Sequence, residues 1–270
     1  MRTIPPQLAA RIEAWDGTAV PPRDAATVVV LRDAPTGRET FLIRRRFTMA
    51  FAAGQYVFPG GGVQESDFAA VPWIGPDAGF WAGRLGCPED LARALVVAAA
   101  RELFEETGLL LAGPDQATMV GGVAGSRLAA DRQRLEAKDT LFGDLLGDHD
   151  LKLRADLLSP WAHWITPAYQ PRRFDTRFFV VMLPAGQTAG SLTTESDLGQ
   201  WAGIGQVLQD ARDGRVEMMR PTQHTLRQLL GIGDQPVAEA AAQRTIVTIE
   251  PRLVEIDGVH YLDGPAEENL

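Results

Sequence analysis

The sequence segment RELFEETG, residues 101–108, carries a cluster of three acidic side chains. Glu102, Glu105 and Glu106 are spaced so that on a helix they share one face. Like charges at this spacing repel each other and weaken an isolated helix by roughly 0.2–0.5 kcal/mol per pair. Mg²⁺ and Mn²⁺ prefer such carboxylate ligands, and a bound cation would cancel the repulsion. The spacing therefore indicates either a divalent-metal site or a solvated acidic face.

The residues around the cluster favour the metal site. Residues 94–100, ALVVAAA, are all apolar, which predicts a buried helix running from Pro88 to a stop at Gly108. A buried helix would not end in a merely solvated acidic cluster without a cost. Arg101 directly precedes the cluster and can hold its carboxylates by charge-assisted hydrogen bonds.

The segment 101–109, RELFEETGL, resembles the core of the Nudix box, G-x5-E-x7-R-E-U-x-E-E-x-G-U, in which U is aliphatic. Every defined position from Arg101 onward matches. The glycine half of the box resembles FPGGG, residues 58–62, and Asp67 stands where the first glutamate is expected. Because 33 residues lie between Asp67 and Arg101, where the pattern has seven, the box carries an insertion, broadly at 68–88.

The resemblance implies a Mg²⁺- or Mn²⁺-dependent hydrolase whose ions bridge a diphosphate. The implied metal ligands are the helix glutamates and a loop carbonyl: Glu102, Glu105, Glu106 and Gly61, with Gly60 as the alternative carbonyl. Arg101 is expected to orient Glu105 or Glu106 rather than to touch the substrate. Arg101 and Glu105 are accordingly counted with the catalytic residues.

A general base is expected from a loop upstream of a tryptophan-bearing strand, which TTESDLGQW, residues 193–201, resembles. Glu195 is the expected base or an additional metal ligand. Asp197 is equally acidic, and a solvated loop acid is the alternative for either residue.

The expected substrate contacts are Arg44, Gly60, Arg172 and Arg173. Arg172 and Arg173 are suited to a phosphate or to the adenine side, since a guanidinium binds phosphate in a bidentate manner. The alternative for this pair is a salt bridge to Asp175 or another acid.

Several segments narrow the resemblance within the Nudix family. Residues 164–184, the ESDLGQW segment and residues 219–230 resemble the subfamily of long, insertion-bearing coenzyme A diphosphatases. This implies CoA or acyl-CoA as the first expected substrate, then NADH or ADP-ribose. GQYVFPGG, residues 54–61, matches half of a motif associated with CoA hydrolysis, but Ala50 stands where that motif has arginine. A catalytically silent nucleotide sensor or scaffold is the rival interpretation.

The elements that must position these residues mix hairpins with helices. AATVVVLRD, residues 25–33, and FLIRRR, residues 41–46, predict a hairpin, and residues 177–183 predict another strand. Residues 116–159 are predicted to be mostly helical. The expected fold is therefore α/β (α+β), a Nudix fold with a mixed β-sheet sandwiched between helices.

We expect a single domain, residues 1–270, with its core at about 25–235. An N-terminal helix at 5–16 and a C-terminal hairpin extension at about 243–264 flank this core. Within the box insertion, Trp73, Phe80 and Trp81 either form a stacking lid over a base, pin the insertion to the body or make a dimer contact.

Composition limits the partners. The formal net charge of −9 argues against binding to a nucleic-acid backbone, and the single cysteine excludes an internal disulfide framework. No apolar run is long enough to span a bilayer, and the N-terminus lacks a signal-peptide core. The expectations are a cytoplasmic protein, a small-molecule nucleotide substrate, no nucleic acid, no membrane, and a homodimer as a possible assembly.

Overall fold

The structure is a computed structural model that describes residues 6–46, 54–121, 127–190, 196–256 and 259–264. Its strands in chain order are β1 (Arg23–Ala34), β2 (Gly37–Arg45), β3 (Tyr56–Val57), β4 (Gly60–Gly62), β5 (Trp73–Ile74), β6 (Ala112–Gly113), β7 (Lys152–Arg154), β8 (Ser159–Ile165), β9 (Phe174–Met182), β10 (Ser196–Gly203), β11 (Thr248–Ile249), β12 (Arg252–Ile256) and β13 (Val259–Asp263).

Its helices are α1 (Pro6–Glu13), α2 (Ala78–Leu85), α3 (Glu89–Thr107), α4 (Arg127–Glu136), α5 (Phe142–Asp148), α6 (Ile204–Arg212), α7 (Arg220–Gly231) and α8 (Val237–Gln243). Short 3₁₀ turns cover Glu65–Phe68 and Ala155–Leu157. None of the described helices combines the length and apolar character that a membrane span requires.

The main sheet is mixed. Its strand order is β10-β2-β1-β9-β8-β11, with β3 added to β2 and β4 added to β1. β1 and β9 pair in parallel from Arg23 opposite Phe174 to Leu31 opposite Met182, whereas β1 and β2 form the predicted antiparallel hairpin. Val28, Val29 and Val30 are fully buried, as expected for a central strand covered on both faces.

Helices cover both faces of this sheet, which confirms the predicted sandwich. Val28 and Val30 of β1 pack into the core on the α3 side. Val29 and Leu31 pack into the second core, which is built with α6, α7 and α8. The alternation follows from the strand period of two, which turns successive side chains to opposite faces.

The long helix α3 ends as the sequence predicts. Pro88 occupies its N-cap position, and Gly108 ends it in the left-handed conformation with φ 73°. The alanine-rich middle of α3 is buried from Ala94 to Arg101, because small side chains let the helix lie close to β1. This packing delivers the end of α3, with its glutamates, to the glycine strand β4.

The residues between the two halves of the box form structure of their own. β5 pairs with β7 in parallel, and β7 pairs with β6. The side chain of Trp81 on α2 is buried and packs against Phe179 of the main sheet, with the ring centroids 5.9 Å apart. This segment is thus fastened to the body of the protein by an aromatic contact.

The structure differs from the sequence expectations in three segments. The stretch 116–159, expected to be mostly helical, contains α4 and α5 but also β7. β8 was not predicted, because its residues SPWAHWI include proline and show no clean alternation. β10 begins at Ser196, inside the segment expected to be a loop, and pairs along β2. Serine and glycine weaken the strand signal there, and pairing with β2 supplies the missing stabilisation.

The first prediction concerns Gln187, a buried side chain that fastens the segment after α3. Its Oε1 accepts from the Leu110 N–H at 3.0 Å, and its Nε2 donates to the carbonyls of Leu110 and Val120 at 2.8 and 2.9 Å. Gln187→Ala leaves these buried backbone groups without hydrogen-bond partners, so we expect the free energy of unfolding in urea to fall by about 1–3 kcal/mol. Gln209→Ala, at an exposed position of α6, is the matched control, and equal effects of the two variants would contradict the prediction.

Candidate active site

The end of α3 packs against two other elements, the glycine strand β4 and the 3₁₀ turn Glu65–Phe68. We call Glu102, Glu105 and Glu106 the acidic cluster. β4 follows directly from the FPGGG segment, and it pairs with β1 from Gly62 opposite Ala25 to Gly60 opposite Thr27. The two sequence-distant halves of the box therefore meet in space.

A buried ion pair joins these halves. Arg101 donates from Nε to Asp67 Oδ1 and from Nη2 to Asp67 Oδ2, each at 2.8 Å, a bidentate arrangement. Both side chains are buried, with 2% and 1% of their surface exposed. Asp67 also accepts from the backbone N–H of Gln64 at 2.8 Å, which closes its 3₁₀ turn.

Arg101 also reaches the acidic cluster. Its Nη1 donates to Glu102 Oε1 at 2.8 Å and more weakly to Glu105 Oε1 at 3.4 Å, and its Nη2 donates to the Gly62 carbonyl at 3.0 Å. Burial opposes the charge on Arg101, but its hydrogen bond to Asp67 and the charges of its acidic neighbours outweigh burial and raise its pKa. Arg101 is thus a permanently charged support of the cluster.

The glycines of β4 let the strand approach the acidic cluster closely. The Gly60 N–H donates to Glu106 Oε2 at 2.7 Å. A Cβ atom on Gly61 would lie 2.4 Å from Glu102 Oε1, and one on Gly60 would lie 2.4 Å from the Ala26 carbonyl oxygen. Any larger residue at these positions would displace either the glutamate or the neighbouring strand.

The acidic cluster retains electrostatic repulsion in spite of these contacts. Burial, and then the charge of Glu102, raises the pKa of Glu105 to about 7, and Arg101 opposes both effects. The positions of the three carboxylates are set by hydrogen bonds to Arg101 and Gly60, so repulsion does not drive them apart.

Arg132 is a residue of this region that the sequence interpretation missed. It lies on α4 and is buried, and its Nε donates to the carbonyls of Phe104 and Glu105 at 2.8 and 3.0 Å. It thereby satisfies carbonyls in the last turn of α3 and places a positive charge at the negative end of the helix. It also forms an ion pair with Glu136 at 3.0 Å. No motif marks it, because its partners are backbone atoms 27 and 28 positions away.

The acidic cluster opens onto a cavity of about 900 Å³. β1 and β9 contribute Thr27, Thr176 and Phe178 to its lining. Further walls come from the β8–β9 connection, from the start of α7, and from the glycines of β4. A cavity of this size accommodates a ligand as large as a dinucleotide.

The structure brings most of the predicted site residues to this cavity. Those that line it are Gly60, Gly61, Glu102, Glu105, Glu106 and Arg172. Arg101 stands behind the glutamates, where it supports them from the buried side. Glu195 and Ala50 lie outside the described residues.

Two predicted substrate contacts lie elsewhere. Arg173 is buried and donates to the carbonyls of Thr166 and Val20 and to Glu250, so the structure favours the salt-bridge alternative for it, with Glu250 as its acid. Arg44 does not line the cavity, whereas its neighbour Arg45 does. Successive side chains of a strand point to opposite faces, which places Arg45 at the cavity and Arg44 away from it.

The aromatic side chains of the insertion are also absent from the cavity lining. Among the described residues, the cavity is lined by aromatics of β8, β9 and neighbouring segments, but not by Trp73, Phe80 or Trp81. The contact of Trp81 with Phe179 therefore favours the role of pinning the segment over that of a stacking lid.

The chemistry of the donor set fits a divalent cation that also binds substrate. In the described part of the chain, no three or more His, Cys, Asp or Glu side chains are arranged so that they could hold a metal ion by themselves. Mg²⁺ does not require such an arrangement, because it is commonly held by one or two carboxylates together with water and substrate phosphates. The acidic cluster and Asp67 together outnumber the guanidinium groups of Arg101 and Arg132 that face them, so negative charge remains for a cation.

Comparisons with known proteins agree with this geometry. A family model described as the NUDT19 Nudix domain matches residues 82–229. The crystal structure of a Nudix hydrolase from Alicyclobacillus acidocaldarius is 30% identical, with a TM-score of 0.64, and the match covers 84% of this chain and 98% of that one.

Two curated relatives match over a shorter part of their own length. Nudix hydrolase 7 of Caenorhabditis elegans is 28% identical over 217 residues, which cover 80% of this chain and 63% of that protein. The acyl-coenzyme A diphosphatase NUDT19 of Xenopus laevis is 24% identical over 226 residues, covering 71% and 59%. The chain thus spans about three fifths of the length of these relatives.

The second prediction is that Arg101 and Asp67 are strongly coupled in stability. Removing one member leaves the other as a buried charge without its partner, so Asp67→Asn and Arg101→Gln should each cost about 3–5 kcal/mol. The double variant should lose less than the sum by about 2 kcal/mol or more. Urea unfolding of all four proteins measures this coupling.

The exposed pair of Arg215 and Asp210 provides the control cycle, built from Asp210→Asn and Arg215→Gln. Its coupling should be much smaller, because solvent screens exposed charges. Additive effects for Arg101 and Asp67 would show that the two halves of the box do not depend on this pair.

Proposed function

Because the chain belongs to the NUDT19 Nudix domain family, we propose that it is a Mg²⁺- or Mn²⁺-dependent hydrolase that cleaves the diphosphate of a nucleotide derivative. The observation that carries this proposal is the acidic cluster itself. Its three carboxylates line one wall of a large cavity, and Arg101 and the Gly60 N–H hold them in place. A cluster that served only solubility would not be built against buried partners.

The proposed roles of the residues follow from these contacts. Glu102, Glu105 and Glu106 would hold the metal, together with the carbonyl of Gly60 or Gly61. A metal bound there supplies Lewis-acid polarisation of the phosphoryl oxygens and a water of lowered pKa. Arg101 fixes the directions of the Glu102 and Glu105 carboxylates from the buried side. We propose Glu195 as the general base or as a further ligand.

The proposed substrates are CoA or acyl-CoA first, then NADH or ADP-ribose. Support for CoA comes from the relative named acyl-coenzyme A diphosphatase and from the size of the cavity. The same cavity would hold the diphosphate near the acidic cluster and leave room for both arms of such a molecule. The nucleotide is the only partner that this proposal requires.

The third prediction tests this function directly. The protein should convert at least one of CoA, acetyl-CoA, NADH and ADP-ribose into two phosphate-ester products in the presence of Mg²⁺ or Mn²⁺, detected by liquid chromatography and mass spectrometry. EDTA should abolish turnover. The variant Glu105→Gln/Glu106→Gln should lose the several kcal/mol by which the metal stabilises the transition state. Its kcat should therefore fall by about a hundredfold or more.

Glu89→Gln/Asp90→Asn is the matched control for that variant. It removes the same charge from the other end of α3, where both side chains are exposed and lie outside the cavity. It should retain near wild-type kcat. Binding of a nucleotide without any product, with wild type and variant alike, would instead support the silent-sensor interpretation and end the hydrolase proposal.

The fourth prediction separates the roles of the three glycines of β4. Gly61→Ala should push the flexible end of Glu102 aside, so we expect a higher half-saturating Mg²⁺ concentration with only a small loss of stability. Gly60→Ala meets the backbone of Ala26 and should destabilise the fold itself. The contact nearest to a Cβ atom on Gly62 is 3.9 Å away, which makes Gly62→Ala the tolerated control.

Thermal unfolding and Mg²⁺ titration of activity, measured on the same preparations, distinguish these outcomes. If Gly61→Ala left the Mg²⁺ dependence unchanged, Glu102 would not be a metal ligand. If Gly60→Ala and Gly62→Ala behaved alike, the close approach of β4 to β1 would be unimportant.

A further inference from the structure

Acidic and basic side chains both line the cavity, and the basic ones include Arg45 of β2 and Lys138, which follows α4. The acids belong to the end of α3 and to the end of α4, where Glu136 joins the acidic cluster. On another wall, Arg172 projects from the β8–β9 connection and Arg220 from the first residue of α7. We call Arg172 and Arg220 the arginine pair. The protein has a net charge of −9, yet two separate elements each place a cationic side chain on this cavity wall.

The arginine pair differs from its neighbours in having no acidic partner. In the part of the chain that the structure describes, neither Arg172 nor Arg220 makes a side-chain hydrogen bond or ion pair. Arg173 and Arg177, by contrast, are buried and bound to Glu250 and Asp175. The buried arginines are thus neutralised by acids, whereas Arg172 and Arg220, which are exposed and line the cavity, remain available to a ligand.

Among the described residues, the cavity lining also contains one buried polar group that lacks a partner. Thr222, in the first turn of α7, is a buried residue that contributes a hydroxyl to the cavity lining. Trp164, which lines the cavity too, has a buried Nε1 without a hydrogen-bond acceptor in the described structure. Buried polar groups are normally satisfied, so this exception, in a cavity that two arginines also line, indicates a place for a polar ligand.

The start of α7 adds to the positive potential at this wall. Met219, its N-cap residue, provides no side-chain cap, so the first-turn N–H groups have no partner from that side chain; Pro221 in this turn has no N–H to offer. A helix N-terminus of this kind favours an anion. Two guanidinium groups, a hydroxyl donor and a helix N-terminus together are a donor set for a phosphate group with two negative charges.

We infer that the arginine pair and Thr222 bind a phosphate monoester of the substrate, separate from the diphosphate that is cleaved. This inference rests on the proposed function, which assigns the diphosphate to the acidic cluster and its metal. The substrate class is accordingly a nucleotide diphosphate derivative that carries an additional phosphate monoester. Diphosphates without that group would bind more weakly.

Matched pairs of substrates test the inference. CoA differs from dephospho-CoA, and NADPH from NADH, only by one phosphate monoester. Wild type should show kcat/KM at least about tenfold higher for the phosphorylated member of a pair, equivalent to about 1.4 kcal/mol. Arg172→Gln/Arg220→Gln should reduce this ratio towards one by lowering kcat/KM for the phosphorylated member alone. Equal kcat/KM values within both pairs for wild type would overturn the inference while leaving the proposed hydrolase intact.

The variant Arg212→Gln/Arg215→Gln is the control for charge. It removes Arg212, the last residue of α6, and Arg215, which follows the helix; both lie outside the cavity lining, so the variant should preserve the ratio. Arg172→Lys/Arg220→Lys should keep part of the preference, because lysine retains the charge but not the bidentate geometry. A ratio that the control variant lowers as much as the cavity variant would assign the preference to net charge and overturn the inference.

A binding measurement without metal tests the same inference independently of turnover. In EDTA, calorimetry should show that adenosine 3′,5′-bisphosphate binds at least about tenfold more tightly than adenosine 5′-monophosphate. Arg172→Gln/Arg220→Gln should abolish this difference. If the protein cleaves no diphosphate, the proposed hydrolase function fails. This titration would still test whether the arginine pair binds a phosphate monoester. Equal affinities for the two nucleotides would overturn the inference.

Discussion

The buried ion pair of Arg101 and Asp67 is the interaction on which the candidate site depends. Each charge would be costly alone in its buried position, so the two side chains need each other. The pair joins α3 to the 3₁₀ turn that follows the glycine strand. It does so across the 33 residues that separate Asp67 from Arg101 in the sequence. With the pair in place, Arg101 has donors left for Glu102 and for the Gly62 carbonyl, so one guanidinium positions both halves of the box.

The residues between Asp67 and Arg101 are compatible with this geometry because they form paired and packed structure of their own. Lengthening a loop adds closure entropy only slowly, about 0.6 kcal/mol per doubling. Here the cost is reduced further, since β5 pairs with β7 and Trp81 on α2 is buried against Phe179. The insertion is thus held at a distance from the cavity, while α3 begins anew at Glu89 and carries the glutamates back to β4.

Local signals made α3 and the first hairpin predictable, whereas features set by distant contacts were not. Pro88 and Gly108 mark both ends of α3 in the sequence, and the run of Val28 to Leu31 marks a buried strand. Arg172 and Arg173 are adjacent and chemically identical, yet one faces the cavity and the other binds Glu250. Only the fold decides which is which. Arg132 could not be predicted for the same reason. It donates to backbone carbonyls, and a sequence pattern does not show which carbonyls will lie near a side chain.

The acidic cluster and the arginine pair lie on different walls of the cavity, and each would interact with a different part of an anionic ligand. An acidic protein that binds a polyanion needs a local reversal of sign, and a divalent cation on the acidic cluster would supply it where charge develops during cleavage. Arg101 supports the cluster from the buried side, and further arginines on its cavity side would compete with the cation for the carboxylates. Recognition of a second anionic group is better served by cationic side chains on another wall, where Arg172 and Arg220 lie. Under the proposed function, this arrangement would let substrate selection change at α7 and the β8–β9 connection without disturbing the residues proposed to hold the metal.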